Sequence, residues 1–256
     1  MSVGRKGRII AAYCVRSLIA ILELGKYGIS HSHLIPMINQ LHRLLHDPAK
    51  GWDPVPGEWA ELYAQKEWAE YDPQIISLIS RYCGNLAGLQ VLDLGGGPGQ
   101  FSVNFAKLGA CVTWFDISQH YRAITERHAT ESRVQLEYQM GYFEDLAKLP
   151  RDHFDLIFNR VCWYYCINDA HFARLIVQRL KQGGLVYIDA LVGFEAGSST
   201  QRRLRHLLNC SLGYKIGHIR PPRGRIEQLF RSLGGEILYS DYTIEEHDLL
   251  IARKCR

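Results

Sequence analysis

The stretch Val91-Leu92-Asp93-Leu94-Gly95-Gly96-Gly97-Pro98-Gly99 decides the fold. A short apolar run enters a cluster of glycines, and Phe101, Phe105 and Leu108 then recur at helical spacing. Strand, glycine turn and helix in that order mark the carboxyl edge of a doubly wound sheet, where ligands approach the strand ends. Glycine suits such a turn because it lacks Cβ and accepts unusual backbone angles. The ribose-and-pyrophosphate pattern is missing, however. After Gly95 and Gly97 the third glycine would fall at Gln100, and after Gly97 and Gly99 it would fall at Ser102. No Gly-Lys-Ser/Thr follows either, which excludes a phosphate loop of the ATPase kind.

Outward from this turn the chain alternates. Gln90–Leu94, Cys111–Phe115, Val134–Met140, Phe154–Phe158 and Leu185–Ile188 read as strands, with starts 21, 23, 20 and 31 residues apart. Each gap has room for one helix. The last carries Phe172, Leu175, Ile176 and Leu180, with Asn168 or Asp169 as its cap and Gly183-Gly184 as its end. Continuous apolar strands separated by helices predict a parallel sheet covered on both faces. Arg225–Leu233 reads as a helix, as does Ser198–Leu212. Glu236–Ile244 and His247–Lys254 then form two strands joined too tightly to be parallel. Residues 1–85 show no strand pattern and read as a helical extension broken by prolines, with residues 86–256 as the α/β domain.

Composition agrees with a globular chain. It has 256 residues, 47% hydrophobic and 22% charged, with 30 Lys+Arg against 26 Asp+Glu. A net +4 is too small to declare a nucleic-acid binder. The apolar stretch Ile9–Leu24 contains Arg16 and Glu23 and falls short of the roughly 20 residues that span a bilayer. Seven cysteines, an odd number in apolar surroundings, predict reduced thiols in a cytoplasm. A soluble cytoplasmic protein is the expectation.

Asp116 closes the second strand 19 residues after Gly97, where a carboxylate can accept from ribose hydroxyls. The rival reading for Asp116 is a helix cap. VLDLGGGPG followed by WFDIS resembles motif I and the acidic second-strand end of class I S-adenosylmethionine-dependent methyltransferases. The resemblance runs over about residues 88–190, through FDLIFNR and LKQGGLVYID. It implies a Rossmann-like, doubly wound, mostly parallel seven-stranded sheet with an antiparallel last strand, and S-adenosyl-L-methionine as cofactor. It also implies that Asp93, Gly95, Gly96 and Gly97 line the cofactor, that Asp116 holds the ribose and that Ile117 packs near the adenine. Tyr142, Phe143 and Glu144 would form the loop over the adenine, although Tyr142 stands where the family often has an acid. Asn159 and Arg160 would face the methionine end.

Three regions are candidates for the acceptor site. Residues 52–73 hold three of the five tryptophans and could form a lid, with Tyr63, Trp68 and Tyr71 toward the substrate. Trp163 and Tyr164 follow the fourth strand, with core packing as the alternative for Trp163. This exit is not the N/D-P-P-Y/F/W sequence of enzymes that methylate exocyclic amines. Ser199–Arg225 carries seven cationic residues and no acid, among them Arg202, Arg203, Arg205 and Arg220. It suits an anionic acceptor or, alternatively, RNA or protein. His218 is the candidate base. The reading is methyl transfer to a small organic acceptor, oxygen favoured; a non-catalytic partner subunit is the rival of another class. His31, His33, His42 and His46 lack a metal-binding pattern, and Cys162 and Cys166 lack a companion pair. The stripe of Ile10, Tyr13, Leu18 and Ile21 could serve a homodimer.

Overall fold

The protein is described by a computed structural model over residues 42–193, 204–209 and 220–255. Seven strands form one sheet in the order β3-β2-β1-β4-β5-β7-β6. They are β1 (Gln90–Leu94), β2 (Cys111–Asp116), β3 (Glu137–Met140), β4 (Phe154–Arg160), β5 (Leu180–Leu191), β6 (Gly235–Asp241) and β7 (His247–Lys254). All neighbours pair parallel except β7, which runs antiparallel to both β5 and β6. The expected seven-stranded Rossmann-like sheet with its antiparallel final strand is therefore what the chain forms. The helices are α1 (Gly57–Ala69), α2 (Pro73–Cys83), α3 (Gln100–Lys107), α4 (Gln119–Glu131), α5 (Asp169–Arg179) and α6 (Arg225–Ser232).

Local chemistry explains their ends. Pro73 stands in the first turn of α2, where its missing N–H costs nothing, and Asp72 accepts from Gln74 N. Ser118 caps α4 through Tyr121 N, and Asn168 caps α5 through His171 N. The cap of α4 is thus Ser118 and not Asp116. Several expected boundaries move: β3 starts at Glu137 and not Val134, β6 ends at Asp241 and not Ile244, and α5 stops at Arg179, so that Gly183-Gly184 lie within β5 instead of ending the helix. Close packing holds Gly184 there, since a Cβ would sit 2.9 Å from Lys181 O and 3.0 Å from Phe154 O.

Each face of the sheet carries its own core. On one, Leu92, Leu94, Ile157, Val186 and Ile188 meet Trp163, Phe172 and Ile176, together with Phe230 of α6. On the other, Val91, Leu156, Phe158 and Tyr187 meet Ile76 and Ile79 of α2 and Phe101 and Phe105 of α3. Phe158 is the centre of that second layer. Its ring lies 4.8 Å from Phe101, 5.3 Å from Phe105 and 5.0 Å from Tyr187. A third cluster places Ala60 and Ala64 of α1 against Trp114, Tyr121 and Ile124. Residues 42–69 thereby lie against the carboxyl half of β2 and the start of α4.

One charged group is buried between these layers. Asp93 of β1 is 3% exposed and accepts a 2.6 Å hydrogen bond from Ser102 Oγ of α3. Burial pushes its carboxyl up to about 7, opposed by the Ser102 bond and assisted by the nearby Asp116.

Two outcomes follow from this packing. Phe158→Ala should cost roughly 3–5 kcal/mol, read as a fall in the urea midpoint at unchanged slope. For Asp93, the folded chain binds a proton more tightly than the unfolded chain, whose carboxyl titrates near about 3.9. Its contribution to unfolding free energy therefore falls as pH rises from about 4 to about 7. Asp93→Asn cannot titrate, so its stability relative to wild type should climb across that window and level off above it. Urea unfolding at a series of pH values checks the difference; a flat difference contradicts the raised carboxyl.

Candidate functional site

The glycine turn between β1 and α3 meets the end of β2 through one side chain. Asp116 Oδ2 accepts from Gly97 N at 3.0 Å, while Oδ1 accepts from Ile117 N at 2.7 Å and Ser118 N at 2.9 Å. Burial pushes this carboxyl upward and the three N–H bonds oppose the shift. An ionised carboxylate offers about four acceptor positions, so Asp116 retains capacity for one further donor.

The glycines divide by what surrounds them. A Cβ on Gly95 would collide with Cys162 Sγ, and one on Gly96 would lie 2.6 Å from Trp114 Nε1. These two are small because the protein packs its own side chains against them. Gly97 differs: with φ +49, its Cβ direction meets nothing nearer than Gly95 O at 4.0 Å. The backbone beside Asp116 is thus the open part of the crease.

Unsatisfied polar atoms gather on the same edge. Asn159 is fully buried at the end of β4, with Nδ2 donating to Leu94 O at 2.8 Å, yet Oδ1 has no partner. Gln100 Oε1 and Arg160 Nε are likewise without a hydrogen bond. Buried polar groups are normally paired, and such orphans mark places where a polar ligand belongs. The donors, the acceptor capacity of Asp116 and the open backbone at Gly97 suit an adenosine bearing a zwitterionic amino acid, so the cofactor fits the residues present. Asp93 lies one step deeper, held by Ser102.

Residues 42–69 cover this edge through polar contacts. Trp68 Nε1 donates to Pro98 O at 3.0 Å and its ring stacks on His128. Glu67 Oε2 receives Gln100 Nε2 at 3.0 Å and Arg160 Nη1 at 3.2 Å. Asp53 Oδ2 accepts from Ser118 Oγ and His120 N, and Arg43 pairs with Asp145 at 2.8 Å. Tyr142 donates its hydroxyl to His46 O at 2.7 Å and lies under the Arg43 guanidinium; its phenol is pushed up to about 12, burial being the main cause. Phe143 stacks on Phe172 and approaches Gly95. Glu144 sits 3.6 Å from Arg43, and Asp145 instead binds Tyr142 N, so neither acid stands free.

The acceptor-side residues separate. Tyr63 lies half-buried on α1 against Tyr121 and Trp59, and Tyr164 sits on the exit from β4 with its ring 4.4 Å from that of Tyr165. Burial raises the phenols of Tyr63, Tyr121 and Tyr165 well above the ordinary range, which keeps them neutral donors. Trp163 corrects its acceptor-wall reading: it is 1% exposed and wedged between Phe172 and Phe230. Trp68 likewise pins α1 to the glycine turn, and Tyr71 packs on Phe101. Arg220 pairs with Glu246 at 2.8 Å, Arg223 lies 3.6 Å from Asp248 and Arg225 holds Asp169, so three of the seven cations serve local ion pairs. His218, Arg202, Arg203, Lys215 and the apolar stripe from Ile10 to Leu22 lie outside the described residues.

Sequence reasoning missed two participants at this edge. Glu67 ties the cover to β4, and Asp189 of β5 lies 3.5 Å from Arg160 Nε and 2.6 Å from His247 Nδ1. The parallel register that sets Arg160 opposite Asp189 is the signal, and it exists only once β4 and β5 are paired.

Residues 92–188 match the family model for the methyltransferase domain. Similar curated proteins include the ubiquinone biosynthesis O-methyltransferases of Aeromonas salmonicida, Xanthomonas oryzae and Escherichia coli O157:H7. The first is 28% identical over 56% of this chain and 58% of its own length. The second is 33% identical over 42% and 45%, and the third 26% over 59% and 63%. The chain thus spans about half of the curated relatives it matches. Among solved structures, an S-adenosylmethionine-dependent methyltransferase of Mesorhizobium loti superposes with TM-score 0.52 at 19% identity, covering 69% of this chain and 96% of its own. TehB of Haemophilus influenzae gives 0.56 at 14%, covering 77% and 67%. The cyclase SpnF gives 0.55 at 18%, covering 86% and 94%. Over residues 92–188 the chain is thus similar to the methyltransferase domain family, on a fold that it shares with S-adenosylmethionine-dependent methyltransferases.

Proposed function

We propose that the protein transfers a methyl group from S-adenosylmethionine to a hydroxyl oxygen of a small aromatic acceptor. The observation that carries this is the crease at Gly97 and Asp116, inside a domain whose relatives are named O-methyltransferases. When bound, the cofactor supplies a methyl group on a sulfonium that leaves readily, so the protein's main task is alignment. Asp116 would accept from the ribose, Gly97 would let the backbone approach, and Asn159 Oδ1 would accept from the amino-acid end. Phe143 and Ile117 would border the adenine. The cover through Glu67, Trp68 and Tyr142 excludes water from the edge. The phenol faces of Tyr63, Tyr164 and Tyr165 suit a flat acceptor.

The ion pairs of Arg220, Arg223 and Arg225 favour a small acceptor over a polyanion such as RNA, because those charges already have carboxylate partners. In this reading residues 1–85 act as the cover and residues 86–256 as the catalytic body. Among the described residues Cys111 and Cys255 are exposed free thiols, which fits a reducing cytoplasm. Among the described residues no helix is long and apolar enough to cross a membrane.

Calorimetry with S-adenosylhomocysteine tests the cofactor half. Asp116→Ala should weaken binding by roughly ten- to a hundredfold, as loss of a charge-assisted hydrogen bond costs about 1.5–3 kcal/mol. Unchanged affinity contradicts the site. Tight binding without methyl transfer to any of a panel of phenols, catechols and hydroxybenzoates would favour the non-catalytic partner instead.

A further inference from the structure

The proposed reaction needs somewhere for the hydroxyl proton to go, and among the described residues the polar groups beside Gly97 are already engaged. Its phenols are held neutral by burial. Asp93 is shut inside the sheet against Ser102, and Asp116 is committed to three N–H groups. Three strands away the situation differs. His247 opens β7, directly opposite Leu191 in the antiparallel register with β5. Its Nδ1 lies 2.6 Å from Asp189 Oδ1. A carboxylate accepts and cannot donate, so Nδ1 bears a hydrogen toward Asp189 and Nε2 is left for a second partner. The His247 side chain is 26% exposed while Asp189 is 11% exposed, and Nε2 has no hydrogen-bond partner among the described residues. Imidazole held by a buried acid through one nitrogen is the arrangement in which a base is oriented by a third group.

Its position matches the task. Neighbouring strands stand about 4.8 Å apart, so β7 is on the order of 14 Å from β1 across β4 and β5. That is too far for His247 to touch a cofactor at Gly97, but an amino-acid end at Asn159 of β4 would leave about 10 Å to β7, a gap that a reacting hydroxyl, roughly 3 Å from each neighbour, and the imidazole would span. A polar run bridges the same interval: His247, Asp189, Arg160, Glu67 and Gln100, the last opening α3 beside the glycine turn. Arg223 holds the backbone carbonyl of His247 and fixes the strand start.

We infer that His247 is the general base of this site, with Asp189 as its positioning residue and the acceptor seated between β4 and β7. The inference rests on the methyl-transfer reading above. As the acceptor oxygen bonds to the methyl carbon and the carbon–sulfur bond breaks to leave a neutral thioether, the hydroxyl proton passes to His247 Nε2 and then to water. The electron pair for the new bond comes from oxygen, and no oxidant or reductant is needed.

The test uses the full chain, with catechol and nitrocatechol as acceptors. Nitrocatechol is already ionised at neutral pH and needs no base. His247→Gln should lower turnover of catechol by about 10²- to 10⁴-fold, and that of nitrocatechol by less than about threefold. Affinity for S-adenosylhomocysteine should be unchanged. Equal loss on both acceptors, or loss on neither, overturns the inference. A second readout is independent of turnover: nitrogen-15 spectra of histidine-labelled protein, with His247 assigned by its absence in His247→Gln. The hydrogen should sit on Nδ1 and redistribute in Asp189→Asn; a hydrogen on Nε2, or a ring indifferent to Asp189→Asn, also overturns it. Wild-type protein inert toward both acceptors counts against the aromatic-hydroxyl reading, and the spectra then decide the dyad separately.

Discussion

The carboxylate of Asp116 is the constraint on which the edge of this molecule is built. Three backbone N–H groups from two separate turns converge on it, one from the glycine turn after β1 and two from the turn after β2. Without that acceptor, three donors near the protein interior would lack partners, at about 1–3 kcal/mol each. The carboxylate thus aligns the two strand exits between which a nucleoside fits. A single carboxylate therefore clamps two turns at once.

The cover is fastened differently from the body. The body is apolar and interlocked, as around Phe158. The described cover buries few side chains fully, Ala60 and Ala64 chief among them, and relies on Glu67, Asp53, Arg43 and Trp68. Partly exposed pairs of this kind contribute about 0–1 kcal/mol each. Detaching the cover is therefore cheap compared with unfolding the sheet.

Legibility followed the range of the interactions. β1 and β7 are found at their sequence boundaries because an apolar run bounded by turn residues is local information. The nearness of Asp116 to the glycine turn was legible because the 19-residue spacing is set by one helix and one strand, whereas its bond to Gly97 N was not foreseen. Trp163 was ambiguous, since an aromatic residue after a strand suits a core as well as a pocket. Only Phe172 and Phe230, from two other helices, resolve it. Gly95 and Gly96 were legible as a turn but not as packing sites, because Cys162 and Trp114 arrive from other strands' ends. Asp189 and His247 stand 58 residues apart, and nothing in the intervening sequence joins them before β7 inserts between β5 and β6.

The likeness to SpnF, a cyclase on the same fold, means that the sheet and its glycine turn leave the chemistry undetermined. What selects a reaction is the set of groups facing the second ligand. Here that set is uneven across the edge. Near β1 and β2 stand neutral phenols and carboxylates already hydrogen-bonded to their own neighbours. The proton-accepting nitrogen comes from the far side, where the antiparallel strand reverses direction and brings its first residue to the carboxyl ends of its neighbours. A fully parallel sheet would have placed the start of that strand at the opposite edge, away from the ligands. The reversal of β7 is thus what allows a histidine at a strand start to share an edge with a cofactor bound at strand ends.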